Sequence, residues 1–285
     1  MRTNPKRPCF PEKAGRRRGS PLFEARPTGC GEIYLTKGRS LKSGMKTFLF
    51  ELCAVSLEAA RAGQYGGADR IELCAELEIG GVTPDFDLAR TIATNLSIPV
   101  NVLIRPRGGD FVYSASEFLL MCRQIELARA AGAHGVVFGI LHPDGRVDVE
   151  RTRTLVNLAR PMNVTFHRAF DETPDLAEAL EAVIETGADS LLTSGGAPDV
   201  LSGAESIERL CRQAGDRIQI MAGGGLRLAT LCEVVRRTGA TAFHGSLPHT
   251  GGAPSTKASS KRLEADVREV VRVLRESVAL QAAAL

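Results

Sequence analysis

From Met45 onward the sequence alternates short apolar runs with amphipathic ones, a rhythm that leaves few folds open. The apolar runs, read as strands, are 48–53, 70–74, 99–105, 135–140, 163–168, 190–194, 218–222 and 242–246. Helical periodicity fills the gaps at 56–66, 85–96, 115–131, 148–160, 175–186, 203–214 and 227–238, and a last helix is expected at about 262–280. Eight strand–helix pairs in residues 45–285 predict an α/β fold, a single (β/α)8 TIM-type barrel. A doubly wound sheet is the alternative, but it usually has fewer strands. An internal repeat favours closure. Gly67-Ala68, Gly132-Ala133, Gly187-Ala188 and Gly239-Ala240 each end a helix just before an even-numbered strand. Glycine there can take the positive φ of a helix C-cap, and the alanine packs under the sheet. The odd strands echo one another too, Pro99-Val-Asn-Val-Leu-Ile-Arg105 aligning with Pro161-Met-Asn-Val-Thr-Phe-His167. In a barrel built this way Arg105 and His167 should lie at one level, at the C-terminal mouth.

Residues 1–44 stand outside this rhythm. They are rich in Pro, Gly, Arg and Lys and are expected to form a disordered basic extension. The overall charge of +3 conceals their weight. Eleven Lys/Arg against three Glu give the extension +8, while 25 basic and 30 acidic residues leave the rest at −5. A nucleic-acid partner would have to be held by the extension alone, so the barrel itself is not expected to bind one. An acidic partner of Arg16-Arg-Arg18 and a transit peptide are further readings. The favoured one is that the native protein starts at Met45-Lys46, directly before the first strand. No run of about 18 apolar residues or signal-peptide core occurs, so neither a membrane partner nor secretion is expected. Seven cysteines, mostly within predicted strands and helices, do not form a disulfide framework, which points to reduced thiols in the cytoplasm.

Ionisable residues gather where the strands end. The first strand delivers Glu51 and Cys53, two apart and therefore on one face, and the second repeats the pair as Glu72 and Cys74. The third ends in Arg105-Pro-Arg107-Gly-Gly-Asp110, and the fifth in His167 and Arg168 with Asp171 just beyond. The eighth carries His244. Buried strands have no structural demand for so many such groups. Glu51, Glu72, Arg105, His167, Asp171 and His244 are candidates for acid–base catalysis, because crowding two carboxylates separates their pKa values. Salt bridges from Arg70, Arg105 or Arg168 that merely order the barrel would explain the glutamates equally well. Arg107, Arg168, Ser194, Gly195, Gly223 and Gly224 are candidates for holding an anion, since glycine turns let backbone N–H groups approach one. Tight βα turns are the simpler account of those glycines. Inward thiols of Cys53 and Cys74 on adjacent strands could meet and would suit a soft ion such as Cu(I), although a buried cysteine also packs as a small hydrophobe. Residues 248–261 read as a flexible loop, a lid or a disordered segment.

Taken together, Glu51-Leu-Cys53, Gly66-Gly-Ala-Asp-Arg-Ile-Glu-Leu-Cys74, Gly80-Gly-Val-Thr-Pro84, Ile104-Arg-Pro-Arg-Gly-Gly-Asp-Phe111, Val164-Thr-Phe-His-Arg-Ala-Phe-Asp171, Leu192-Thr-Ser-Gly195, Gly223-Gly-Gly225 and Phe243-His244 resemble the CutC family, named for copper homeostasis. The likeness runs over about residues 47–275; the first 44 residues have no counterpart in it, and 247–262 depart from it. It implies a TIM-type barrel, a cytoplasmic homodimer or higher homo-oligomer, and copper as Cu(I) on Cys53 and Cys74. The other polar groups of the mouth exceed what a copper store requires. A barrel enzyme acting on a small anionic or sugar-like metabolite therefore stands as the alternative expectation.

Overall fold

A computed structural model describes residues 48–247 and 257–283. Eight parallel strands close into one barrel in sequential order. They are β1 (Leu49–Ala54), β2 (Arg70–Leu73), β3 (Val100–Leu103), β4 (Gly135–Phe138), β5 (Asn163–Phe166), β6 (Ser190–Thr193), β7 (Gln219–Gly223) and β8 (Ala242–Gly245). The helices that follow them are α1 (Leu57–Gly66), α2 (Phe86–Asn95), α3 (Ala115–Ala130), α4 (Val149–Ala159), α5 (Leu176–Thr186), α6 (Ala204–Ala214), α7 (Leu231–Thr238) and α8 (Lys257–Ala283). Each predicted strand and helix is present.

The boundaries follow from local chemistry. Ser56, Asp85, Ser114, Asp148 and Asp175 cap helix N-termini with their side-chain oxygens, and Ser114 with Glu117 forms a reciprocal capping box. At the opposite ends Gly67, Gly132, Gly187 and Gly239 all take left-handed φ, as the repeated Gly-Ala junctions predict. Two expectations shift. The helix expected from 227 opens as a 3₁₀ turn at Leu228–Thr230 and becomes α-helical at Leu231. The last helix begins at Lys257, so 257–261 are helical rather than loop. The other expectations for 248–261 and those for 1–44 fall on residues outside the described ones.

Packing divides into an outer shell and an inner one. Phe50, Leu52, Ile71, Val102, Phe138 and Phe166 are fully buried in the large cluster between sheet and helices. The inward residues form two small separate clusters, one of Cys53, Cys74, Leu103 and Val137, the other of Leu192, Met221 and Ala242. Barrel interiors are usually filled by branched apolar residues. This one also buries Glu51, Arg70, Glu72, Asn101, Thr165 and Ser190. Placing charge there costs stability unless each charge finds a partner, and the pairing these groups adopt shapes the site above them.

Candidate functional site

The lowest layer is a closed ionic group around Glu51. Its register partners are Arg70 on β2 and His244 on β8. Arg70 Nε donates to Glu51 Oε2 at 2.5 Å, Asn101 Nδ2 adds a longer contact at 3.4 Å, and His244 Nδ1 lies 2.8 Å from Oε1. Burial alone would raise the pKa of Glu51, but Arg70 and His244 outweigh it and hold the carboxyl at about 2. Glu51 is therefore a carboxylate, its imidazole neighbour donates from Nδ1, and Nε2 of His244 is left for the space above. The residue expected as an acid or base is instead sealed beneath the mouth and reaches it only through His244.

One step higher, Cys53 stands level with Glu72, and Glu72 with Asn101. Burial pushes Glu72 up to about 7, and the Glu51 charge adds to this against His244 and Arg70. The two glutamates are thus driven in opposite directions, as the crowding argument anticipates. Glu72 Oε2 is buried with no hydrogen-bond partner. His244 is pushed down by burial, but Glu72 and Glu51 outweigh this and raise it. Cys74 lies just past the end of β2, two residues beyond the level of Cys53 rather than beside it, and its thiol meets that of Cys53 diagonally at 3.3 Å. The contact with Cys74, followed by burial, drives the Cys53 pKa well above its ordinary range, which keeps that thiol protonated. Cys53 Sγ, one Glu72 oxygen and one His244 nitrogen lie within 4.8 Å of one another.

Above these groups opens a cavity of about 530 Å³, walled by Cys53, Cys74, Glu72 and His244 on one side and by Arg105, Phe111, His167 and Arg168 on the other. Arg105 and His167 do share a level, two residues past Leu103 and Thr165, which the register sets side by side through Val137, and both approach the Phe111 ring: the Arg105 guanidinium and the His167 ring each lie 4.8 Å from its centroid. His167 Nδ1 accepts the Ala169 N–H at 3.2 Å, so the proton sits on Nε2, which is buried and unpartnered. Burial, reinforced by Arg105, lowers its pKa to about 3. Arg105 is less free than the sequence suggested. It donates to the carbonyls of Ile79, Gly81 and Gly109, stitching two loops together. Arg107 is committed to Glu117, Asp110 and nearby carbonyls.

The expected anion pocket after β6 is already filled from within. Asp171 accepts from the Thr193 hydroxyl, from the N–H groups of Ser194 and Gly196, from the Ser194 hydroxyl and from Arg168. The Gly195 N–H donates to Thr193 Oγ1. Ser194 and Gly195 thus offer no free backbone donor, and Asp171 is an organiser of the loop. Gly223 ends β7 against Leu192 and His244, where a Cβ would fall 2.7 Å from Leu192 Cδ1. Gly224 and Gly225, both at positive φ, remain on the cavity wall beside Arg168, which also contacts Ser194. Asn101 and Phe111 belong to the site although they were not singled out for it, while Arg70 forms the salt bridge to Glu51 that the alternative reading of the glutamates expected. Asn101 was legible in principle, as a polar residue two before the inward Leu103 in a buried strand.

Fold and mouth together define a (β/α)8-barrel protein with a thiol-, carboxylate- and imidazole-lined pocket at the C-terminal ends of its strands. The CutC family profile matches residues 48–249. A copper homeostasis protein cutC homolog of Homo sapiens is 45% identical over 203 residues, covering 71% of this chain and 74% of the relative. A family protein CutC of Mesorhizobium japonicum is 45% identical over 196 residues, covering 69% and 76%. Among solved structures, a candidate copper homeostasis protein CutC from Streptococcus agalactiae superposes with a TM-score of 0.67 at 30% identity, over 70% of this chain and 99% of that one. A thiamine phosphate pyrophosphorylase from Pyrococcus furiosus, 15% identical with a TM-score of 0.53 over 81% of this chain and 97% of its own, shares the fold alone. The chain belongs to the CutC family.

Proposed function

We propose that this protein binds Cu(I) through Cys53 and Cys74 and serves copper homeostasis in the cytoplasm as a homo-oligomer. The observation that carries the reading is the 3.3 Å approach of two buried thiols on the wall of a solvent-reaching cavity. Two sulfurs each about 2.3 Å from one ion can be no more than about 4.6 Å apart, so 3.3 Å suits a bent pair that opens by small side-chain rotations. Soft thiolates select Cu(I) over harder ions. Binding as two thiolates would release both thiol protons, the ion taking the place of the S–H···S contact between them. All five cysteines among the described residues are free, which suits a reducing compartment. Anaerobic Cu(I) titration against a competing chelator should show one tight site that weakens about a hundredfold or more in Cys53→Ser and in Cys74→Ser. Unchanged affinity in both would remove the reading. Sedimentation velocity checks the oligomer.

A second reading is favoured by His167. A neutral imidazole with a buried, unpartnered Nε2–H beside a cavity of about 530 Å³ is arranged to donate to a ligand oxygen. With Glu72 opposite, the mouth would suit proton transfer on a small anionic or sugar-like metabolite, Arg168 and the Gly224–Gly225 backbone holding its anionic end. Thermal-shift screening with metabolite mixtures tests this. Stabilisation that survives both His167→Ala and Glu72→Gln argues against it.

A further inference from the structure

We infer that the mouth also holds a borderline divalent cation of the zinc type, bound by Cys53, Glu72 and His244, with an open coordination position facing the cavity. The inference shares Cys53 with the Cu(I) reading and otherwise stands apart from it, because it needs neither Cys74 nor a soft ion.

Four observations carry it. The three donor atoms, one sulfur, one carboxylate oxygen and one imidazole nitrogen, come from three strands and lie within 4.8 Å of one another, with Cys53 and Glu72 buried and His244 nearly so. A tetrahedral zinc sets its ligands about 3.5 Å apart, so a rotamer-scale movement closes the set. Glu72 Oε2 is buried without any hydrogen-bond partner, an unmet demand that a cation would satisfy. His244 is prepared for ligation: its Nδ1 is held by Glu51 at 2.8 Å, and Glu51 is itself fixed by Arg70 at 2.5 Å. This carboxylate–histidine arrangement fixes the tautomer and orients the other nitrogen of metal-binding histidines. Finally, all three ligands line the same cavity of about 530 Å³, so the fourth position opens to a water or a substrate oxygen, as in catalytic rather than structural zinc sites.

Charge and donor hardness separate this site from the two-thiol one. A thiolate and a carboxylate balance a divalent ion, with Glu51 and Arg70 already neutral as a pair, so the buried group carries no net charge. The same donors around a monovalent ion would leave a negative charge unbalanced. A mixed sulfur, nitrogen and oxygen set suits zinc or cobalt, whereas two sulfurs suit Cu(I). Cys74 is not within the three-donor group.

The test uses the full-length reduced protein and Co(II) as an optical stand-in for zinc, with Zn(II) competition and a parallel Cu(I) titration. Co(II) should bind one to one, produce a thiolate-to-metal absorption band and be displaced by Zn(II). Cys74→Ser should keep this band and affinity within about threefold while losing Cu(I). Glu72→Gln and His244→Ala should weaken Co(II) about a hundredfold or more while keeping Cu(I). Glu51→Gln, a positioning change, should weaken Co(II) about 10- to 100-fold without removing the band. Absence of a thiolate band in the wild-type protein overturns the inference and needs no variant that might misfold. So does Co(II) binding that is lost in Cys74→Ser yet intact in Glu72→Gln.

Discussion

Asp171 shows how one side chain can consume a site that its neighbours advertise. Its two carboxylate oxygens gather the Thr193 and Ser194 hydroxyls, the Ser194 and Gly196 amides and the Arg168 guanidinium. Removing it leaves those donors facing one another, so Asp171→Ala should destabilise the protein by about 1–3 kcal/mol. Urea denaturation measures this, and Asp171→Asn should cost less because it keeps one acceptor. His167 yields a pH prediction. Its folded pKa of about 3 lies below the ordinary histidine value, so the unfolded chain binds the extra proton. The contribution of His167 to stability is complete above about pH 6.5 and is lost as pH falls toward 3, with a slope of up to about 1.4 kcal/mol per pH unit. His167→Asn, which keeps an acceptor for the Ala169 amide, should flatten that part of the stability–pH curve. A curve of unchanged slope would show that His167 is not held neutral by burial.

At the scale of elements, barrel closure depends on how the last helix returns to the first. Gly66, the final residue of α1, has no side chain because a Cβ there would lie 2.5 Å from Val267 Cβ and 2.8 Å from the Glu264 carbonyl on α8. Gly66→Ala should cost about 1–3 kcal/mol, the usual price of overpacking. Val267→Ala in the same chain should recover part of it, whereas the backbone carbonyl cannot move away as easily. A double-mutant cycle on thermal unfolding reads the coupling, and simple additivity would mean that the helices do not press on each other there. Such contacts were not legible in the sequence, because nothing in Gly66-Gly67 says which glycine ends the helix and which admits a neighbour. The elements themselves were legible. Their period, the Ser and Asp caps of five helices and the Gly-Ala ends are local signals, and all but the starts of the last two helices lie close to where those signals placed them.

On the scale of the whole molecule, the proposed division at Met45 gives a direct test. A chain beginning at residue 45 should keep the melting temperature of the full chain within about two degrees and keep its Cu(I) affinity. A large loss in either would make the basic extension part of the working protein. The count of strands favoured the barrel over a doubly wound sheet, since eight βα units fit few other closed arrangements. The pair of glutamates and the pair of cysteines were visible for the same reason: period two puts them on the inner face, where apolar residues are the rule. What only the tertiary structure decided was the partnering. Glu51 is taken by Arg70 and His244, Glu72 is left with an open oxygen, and Asp171 fills the turn that glycines had seemed to keep for a ligand. Side-chain type and face are properties of the local chain. Whether a buried charge meets its opposite depends on the register between strands far apart in sequence, as with His244 and Glu51, and that register exists only once the barrel has closed.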